Sequence, residues 1–224
     1  MAYKLRNDLW FCQSSDHLIF LDTHQDRYFR LPPAMEHAYL RYLQGDPAAD
    51  VAALLDQSLV ARMRLTDSPA QPCAIQPPAR SALEQAPNAP GLRLAPLLDV
   101  SAAVASALLR LKTRPLNEAL AGMARDRQRH TTAATQRVHR ATATELVDAA
   151  RAFNRVRLYV PVAPTCLLDS IALALFLARR RLHAMVVFGV IGIPFSAHSW
   201  VQSGDMVLND TVGNANAYTP IGVF

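Results

Sequence analysis

The sequence predicts an α+β protein in two parts. Three observations carry that reading: aromatic-rich strand patterns crowded into the first 31 residues, a proline-rich stretch over residues 69–96, and an apolar helix pattern followed by strands between Thr165 and Asp210. Hydrophobic residues make up 51% of the 224, enough for one large domain or two small ones and incompatible with global disorder.

Residues 8–15, 17–22 and 27–31 read as three short strands, rich in aromatic and aliphatic residues and separated by the polar turns Ser14-Ser15-Asp16 and Thr23-His24-Gln25-Asp26. Pro33 can open a helix. From Ala34 to Leu43 the positions Met35, Ala38, Tyr39 and Tyr42 form a helical stripe, and Gly45 ends it. Asp50 to Leu65 predicts one or two further helices. Residues 1–68 thus form a small unit of three strands and helices, winged-helix-like in outline. Cys12 in its first strand reads as a buried small hydrophobe.

Residues 69–96 hold seven of the fifteen prolines and little periodicity, which predicts an extended linker. Cys73 lies there with no base nearby in sequence. Residues 97–224 make the second part. Val100–Lys112 and Leu116–Arg127 are helical patterns; Arg129–Thr144 is polar, a mobile loop or an exposed helix. Glu145–Arg157 is helical again, with Leu146, Ala149, Ala150 and Phe153 as its inner stripe.

The net charge is +5, and residues 110–157 carry its source, with 11 basic and 4 acidic groups. No aromatic residue is interleaved before Phe153, so a solvated helical face is expected there and not a nucleic-acid surface. The N-terminus has no apolar signal-peptide core and the longest apolar run is short, which predicts a soluble cytoplasmic chain without membrane insertion. Three cysteines without a C-x-x-C pair argue against zinc and against a disulfide framework.

The chemistry gathers after Pro161 and Pro164. Thr165 caps a helix that starts at Cys166, where the helix dipole and free N–H groups favour thiolate. That helix is apolar nearly all round, so it is buried and fixes the sulfur, and Arg179-Arg180-Arg181 suit its negative end. A lone cysteine at such a place is otherwise a structural residue. His198 follows on a strand, sharing a face with Trp200 and Gln202. Ser203-Gly204-Asp205 reads as a hairpin turn and Met206–Asp210 as the returning strand, which brings Asp210 near the His198 ring. Nucleophile, base and orienting carboxylate appear in that order.

Cys-Leu-x-x-Ser-Ile-Ala-Leu from Cys166, Pro-Phe-x-Ala-His-x-Trp-Val from Pro194 and Val-Leu-Asn-Asp ending at Asp210 resemble the leader peptidases of lasso-peptide biosynthesis. The resemblance spans roughly residues 100–224. It implies a transglutaminase-like, papain-related fold with Cys166 as nucleophile, His198 as base and Asp210 as third member. It also implies cleavage of the leader from a ribosomally made precursor, before a partner ATP-dependent cyclase closes the macrolactam. ATP assists some fused members, although the sequence holds no P-loop. The first unit resembles the precursor-recognition element of that family, in which the leader adds as a strand. The corresponding strand here contains Tyr28, Phe29, Arg30 and Leu31, with Tyr28 and Arg30 on one face and Phe29 on the other.

The chain departs from the family pattern at Leu168 and Asp169, after Cys-Leu, and at Ser199 and Gln202, around the Trp. Asp169 sets a negative charge one turn from the thiol, where it opposes thiolate formation or shapes substrate preference. The Cys166 N–H is one expected oxyanion donor, and no upstream glutamine stands out as another. Two alternatives stand beside hydrolysis: transfer of the same thioester to an amine, and a non-catalytic scaffold for precursor and cyclase with Cys166 structural.

Overall fold

The computed structural model describes residues 3–46, 60–62, 73–85, 95–131 and 139–224. It is a mixed α+β structure. The first unit contains β1 (Tyr3–Leu5), β2 (Leu9–Ser14), β3 (His17–Asp22), β4 (Arg27–Arg30), α1 (Pro33–Leu43) and β5 (Val60–Arg62). Strands β2, β3 and β4 form an antiparallel sheet in that order, and β1 pairs separately with β5. Pro33 sits in the first turn of α1, as the sequence predicts. Residues 60–62 form a strand, correcting the helical expectation there; residues 47–59 and 63–72 lie outside the described residues.

Alternation along the strands divides the sheet's side chains between two faces. Phe11, Leu18 and Phe20 pack with Leu31 and Tyr39 of α1, and Phe29 joins them. Cys12, Ile19 and Leu21, with Trp10 and Tyr28, pack into the core of the second part. Both faces are therefore covered. Glu36, on the polar side of the predicted α1 stripe, is buried and accepts a hydrogen bond from the Leu18 N–H, which strand β2 does not engage.

The second part begins earlier than the sequence suggests. Within the segment expected to be a linker, β6 (Arg80–Ser81) runs parallel to β9 (Met206–Val207). Ser81 and Ala82 are buried, and Arg151 donates to the Ala82 carbonyl at 2.8 Å. A pair of hydrogen bonds from Arg80 to Asp205, at 3.0 and 2.6 Å, fastens the edge. Prolines here permit an edge strand because the outer N–H groups need no partner.

Four helices follow: α2 (Ala95–Thr113), α3 (Leu116–Thr131), α4 (His139–Arg157) and α5 (Cys166–Arg179). Residues 139–144, read as loop or exposed helix, belong to α4, and 132–138 are outside the described residues. Leu146, Ala150 and Phe153 are buried as its stripe requires. Among the described residues no helix is long and apolar enough to cross a membrane. The chain ends in β7 (Met185–Ile191), β8 (Ser196–Ser203), β9, a short α6 (Val212–Asn216) and β10 (Thr219–Val223), giving the sheet order β10-β7-β8-β9-β6.

Helix α5 lies in the core. Ile171, Leu173 and Leu177 are fully buried, which explains why the sequence shows no polar face. The two units also share that core. Trp10 meets Phe224 edge-on at 4.8 Å, Asn117 N–H donates to the Thr23 carbonyl at 2.9 Å, and Thr219 Oγ1 donates to Ser14 Oγ at 3.3 Å.

Candidate active site

The site is assembled from three consecutive elements. Thr165 caps α5, its hydroxyl accepting the Leu168 N–H at 3.3 Å, so Cys166 stands at the first helical position. The thiol is exposed, while Leu168, Ser170 and Ile171 behind it are buried. His198 comes from β8, and Asp210 from just beyond β9. The returning strand is shorter than the sequence predicts and ends at Val207. Leu208 N–H still reaches the Val201 carbonyl at 2.8 Å, but the Val201 N–H is taken by Asn209 Oδ1 at 2.7 Å. This side-chain substitution for the ladder frees the backbone to turn and aims Asp210 at His198.

His198 Nε2 lies 2.6 Å from Asp210 Oδ2, with both side chains largely buried. Asn214 Nδ2 donates to the same carboxylate oxygen at 2.8 Å, and the Thr211 N–H to Oδ1 at 2.8 Å. Ser81 Oγ donates to the Asp210 carbonyl at 2.6 Å. With Nε2 held by Asp210, Nδ1 is the imidazole nitrogen left for the thiol. The His198 ring is flanked by Trp200 and Tyr218, at centroid distances of 6.1 and 5.1 Å. Trp200 Nε1 donates to Gln202 Oε1 at 2.9 Å, and Gln202 Nε2 donates to the Gln76 and Gly204 carbonyls. The residues on this face thus hold each other in register.

The charges follow from these contacts. The hydrogen bond with His198 brings Cys166 down to about 7, against burial, with Ser199 contributing. The hydrogen bond to Asp210, then that to Cys166, raises His198 to about 9. Burial would raise Asp210, but hydrogen bonds from His198, Asn214 and the Thr211 N–H outweigh it and hold the carboxyl below its usual range. Between about 7 and about 9 the populated state is a thiolate–imidazolium pair.

Asp169 does not act as the sequence suggests. Arg157 Nε donates to its carboxylate at 2.7 Å, and the same guanidinium donates to the Val160 and Val162 carbonyls at 3.3 and 3.0 Å. The negative charge is matched, and its partner clamps the approach to Cys166. Arg157 reads in sequence as one more basic residue of α4, since its role depends on contacts across the turn.

The other cysteines are placed differently. Burial pushes Cys12 up to about 12, with Cys73 adding to the effect, and burial raises Cys73 as well. The four residues of the predicted leader strand also separate. Phe29 stacks on Phe20 at 5.3 Å, and Leu31 is buried under α1. Arg30 is exposed. Tyr28 faces the second part and meets Phe195, of the β7–β8 turn, at 5.5 Å. Burial first, then the negative charges of Asp26, Cys166 and Cys12, raise the Tyr28 phenol. Among the described residues, no strand covers the outer edge of β4.

The structure brings together Cys166, His198 and Asp210, the three residues the sequence singled out, and adds Asn214, Ser81 and Arg157, which it did not. For Asn214 a signal existed: Thr211 caps α6 by accepting the Asn214 N–H at 3.2 Å, a capping spacing readable from Thr-x-x-Asn.

A thiol at the start of a buried helix, facing an imidazole that a carboxylate orients, defines the class of cysteine-based acyl-transfer folds shared by papain-like and transglutaminase-like proteins. The chain belongs to the transglutaminase-like superfamily, whose family model matches residues 107–223, just over half of the sequence. No curated protein and no solved structure matches it.

Proposed function

We propose that the protein is a cysteine peptidase that cleaves the leader from a ribosomally made lasso-peptide precursor, upstream of macrolactam closure by a partner cyclase. The observation that carries this reading is the joining of a Cys166–His198–Asp210 site to a strand-edged unit whose Tyr28 meets Phe195 of the β7–β8 turn, three residues before His198. The leader adds along the outer edge of β4, where main-chain groups give affinity in any sequence context. From there the peptide passes Tyr28 and Phe195 to reach Cys166.

The Cys166 thiolate attacks the scissile carbonyl, and the free N–H groups at the start of α5 receive the oxyanion. The His198 imidazolium gives its proton to the leaving amine, which becomes the new N-terminus of the core. The leader remains as a thioester on Cys166. Neutral His198 then takes a proton from water, the hydroxide attacks the thioester, and Cys166 leaves as thiolate, which restores the thiolate–imidazolium pair. Asp210 keeps the imidazole oriented throughout.

The transglutaminase-like match also favours a second reading in which an amine intercepts the thioester. Mass spectrometry of a precursor incubated with wild-type protein and with Cys166→Ala, with cyclase and ATP present, decides between them. Leader bearing a free carboxylate, formed by wild type alone, supports the peptidase. An amide-linked leader supports acyl transfer. Bound but uncut precursor with both proteins leaves a scaffold.

A further inference from the structure

Strand β9 pairs with β8 only at Gln202 and Ser203, so further along β8 that edge needs other partners. Two side chains supply them. Asn209 Oδ1 accepts the Val201 N–H at 2.7 Å, and Ser170 Oγ donates to the Ser199 carbonyl at 3.0 Å. Asn209 Nδ2 donates to Ser170 Oγ at 3.1 Å, which joins the two into one bridge. Its direction is unique. The Val201 N–H can only donate, so the Asn209 amide oxygen faces it and the amide nitrogen faces Ser170. The Ser199 carbonyl can only accept, so it takes the single hydroxyl proton of Ser170.

Ser170 is fully buried, and its hydroxyl departs from the habit of helical hydroxyls. Ser106 and Thr113, in α2, return theirs to carbonyls four residues earlier, at 2.6 and 2.7 Å. The equivalent carbonyl for Ser170 is that of Cys166, yet its hydroxyl leaves the helix for β8. Apart from the thiol, no other α5 side chain among the described residues reaches the sheet through a hydrogen bond. The buried apolar side chains of α5 pack without directional preference.

Each member of the bridge neighbours a member of the site. Ser170 stands one turn after Cys166, Ser199 follows His198 in β8, and Asn209 precedes Asp210. The backbone around Asn209 is itself pinned: Asn154 Nδ2 donates to the Leu208 carbonyl at 2.8 Å and Ser81 Oγ to the Asp210 carbonyl at 2.6 Å.

We propose that Ser170 and Asn209 are positioning residues, whose bridge fixes the helix turn carrying Cys166 against the strand carrying His198 and the loop carrying Asp210. A hydrogen bond weakens steeply with distance and angle, so a slip of α5 along β8 weakens the thiol–imidazole pair. This role rests on the peptidase reading through Cys166 being the nucleophile, but its test requires no peptide substrate.

The test is the pH dependence of iodoacetamide alkylation at Cys166 in the full chain, read by mass spectrometry of the Cys166 peptide. Wild type, Ser170→Ala, Asn209→Ala, the double variant and Leu177→Ala are compared. Leu177 is a fully buried residue of the same helix, eleven positions or about 16 Å beyond Cys166, so its truncation loosens α5 without touching the bridge. None of these changes alters an ionisable group acting on the thiol: His198 with Asp210 behind it, the Tyr28 phenol, and Asp169 matched by Arg157. Ser170→Ala and Asn209→Ala are each expected to move the midpoint up by about one pH unit, a tenfold weaker ionisation. The double variant moves it no further than the larger single shift, because either change breaks the same bridge. Leu177→Ala keeps the wild-type midpoint. An unchanged midpoint in either folded single variant overturns the proposal, as do additive shifts in the double variant. So does an equal shift in Leu177→Ala, which would assign the effect to general loosening of the helix. Ser170→Ala keeps a good helix former in place and removes one oxygen, so it decides against Leu177→Ala even where Asn209→Ala does not fold. If wild-type Cys166 alkylates with a low midpoint and no precursor is cut, the peptidase reading fails by itself.

Discussion

His198 Nε2 and Asp210 Oδ2 approach to 2.6 Å, and this contact makes the imidazole the stronger base of the Cys–His pair. With Cys166 brought to about 7 and His198 raised to about 9, activity is expected to rise with pH through about 7 and to fall through about 9. The rising limb is formation of the thiolate; the falling limb is loss of the imidazolium that protonates the leaving amine. Asp210→Asn removes the main support of the imidazolium. It is expected to move the falling limb towards acid and to lower kcat/KM by roughly 10²–10⁴-fold. A pH profile of kcat/KM for both proteins checks this, and coincident falling limbs would contradict it.

The same contact has a stability consequence. The folded value for His198 lies above its ordinary 6.5, so its stabilisation is complete below that pH and is lost as pH rises through about 9. Asp210→Asn should therefore lower Tm at pH 6 more than at pH 10. Thermal melts at the two pH values measure the difference.

Arg157 is expected to matter for folding more than its place in a basic helix suggests. Arg157→Met leaves the Asp169 carboxylate without its partner and the Val160 and Val162 carbonyls without a donor. Asp169 is partly buried, so removing its partner and the donor to the two carbonyls costs about 1–3 kcal/mol. Arg157→Met combined with Asp169→Leu should recover part of the loss, because the stranded charge is then gone as well. Urea midpoints of the single and double variants settle the point.

The readability of these features in the sequence follows from how local they are. Cys166 at a helix start was legible because Thr165, the proline approach and the apolar helix are contiguous. The alternation in β2–β4 was legible for the same reason, and Tyr28 and Phe29 do lie on opposite faces. Arg80–Ser81 escaped because a two-residue strand surrounded by prolines has no periodicity, and its partner β9 lies more than a hundred residues away. Arg157 and Ser81 escaped because their partners, a carboxylate and carbonyls in other elements, leave no trace in local spacing. Strand β10, with Thr219 and Pro220 at its start, is held by pairing to β7, a long-range contact.

The three free thiols should separate by reactivity. At pH 7 about half of Cys166 is thiolate, whereas burial raises Cys73 above the ordinary 9.0 and places Cys12 at about 12. From thiolate fractions alone, Cys166 is expected to alkylate at least about fifty-fold faster than Cys73, and Cys12 is expected to be inert in the folded chain. Peptide-resolved labelling over a time course measures the order. Faster labelling at Cys73 would show that the His198 hydrogen bond does not lower the Cys166 thiol.

Gly189 is where the sheet yields space to the site. A Cβ there would lie 2.7 and 2.8 Å from the Trp200 ring and 2.8 Å from Tyr218 Cβ. Both rings flank His198, and all three groups are packed against buried strands that cannot retreat freely. Gly189→Ala is therefore expected to cost about 1–3 kcal/mol through overpacking. It should also reduce kcat by displacing the imidazole while KM for the precursor changes little, because β4 belongs to a different sheet from this strand. Trp200→Phe in the same chain removes part of the crowded ring and should restore some activity. That rescue separates displacement of His198 from general loss of structure, since a merely unstable Gly189→Ala protein would not regain kcat when a second core residue is reduced.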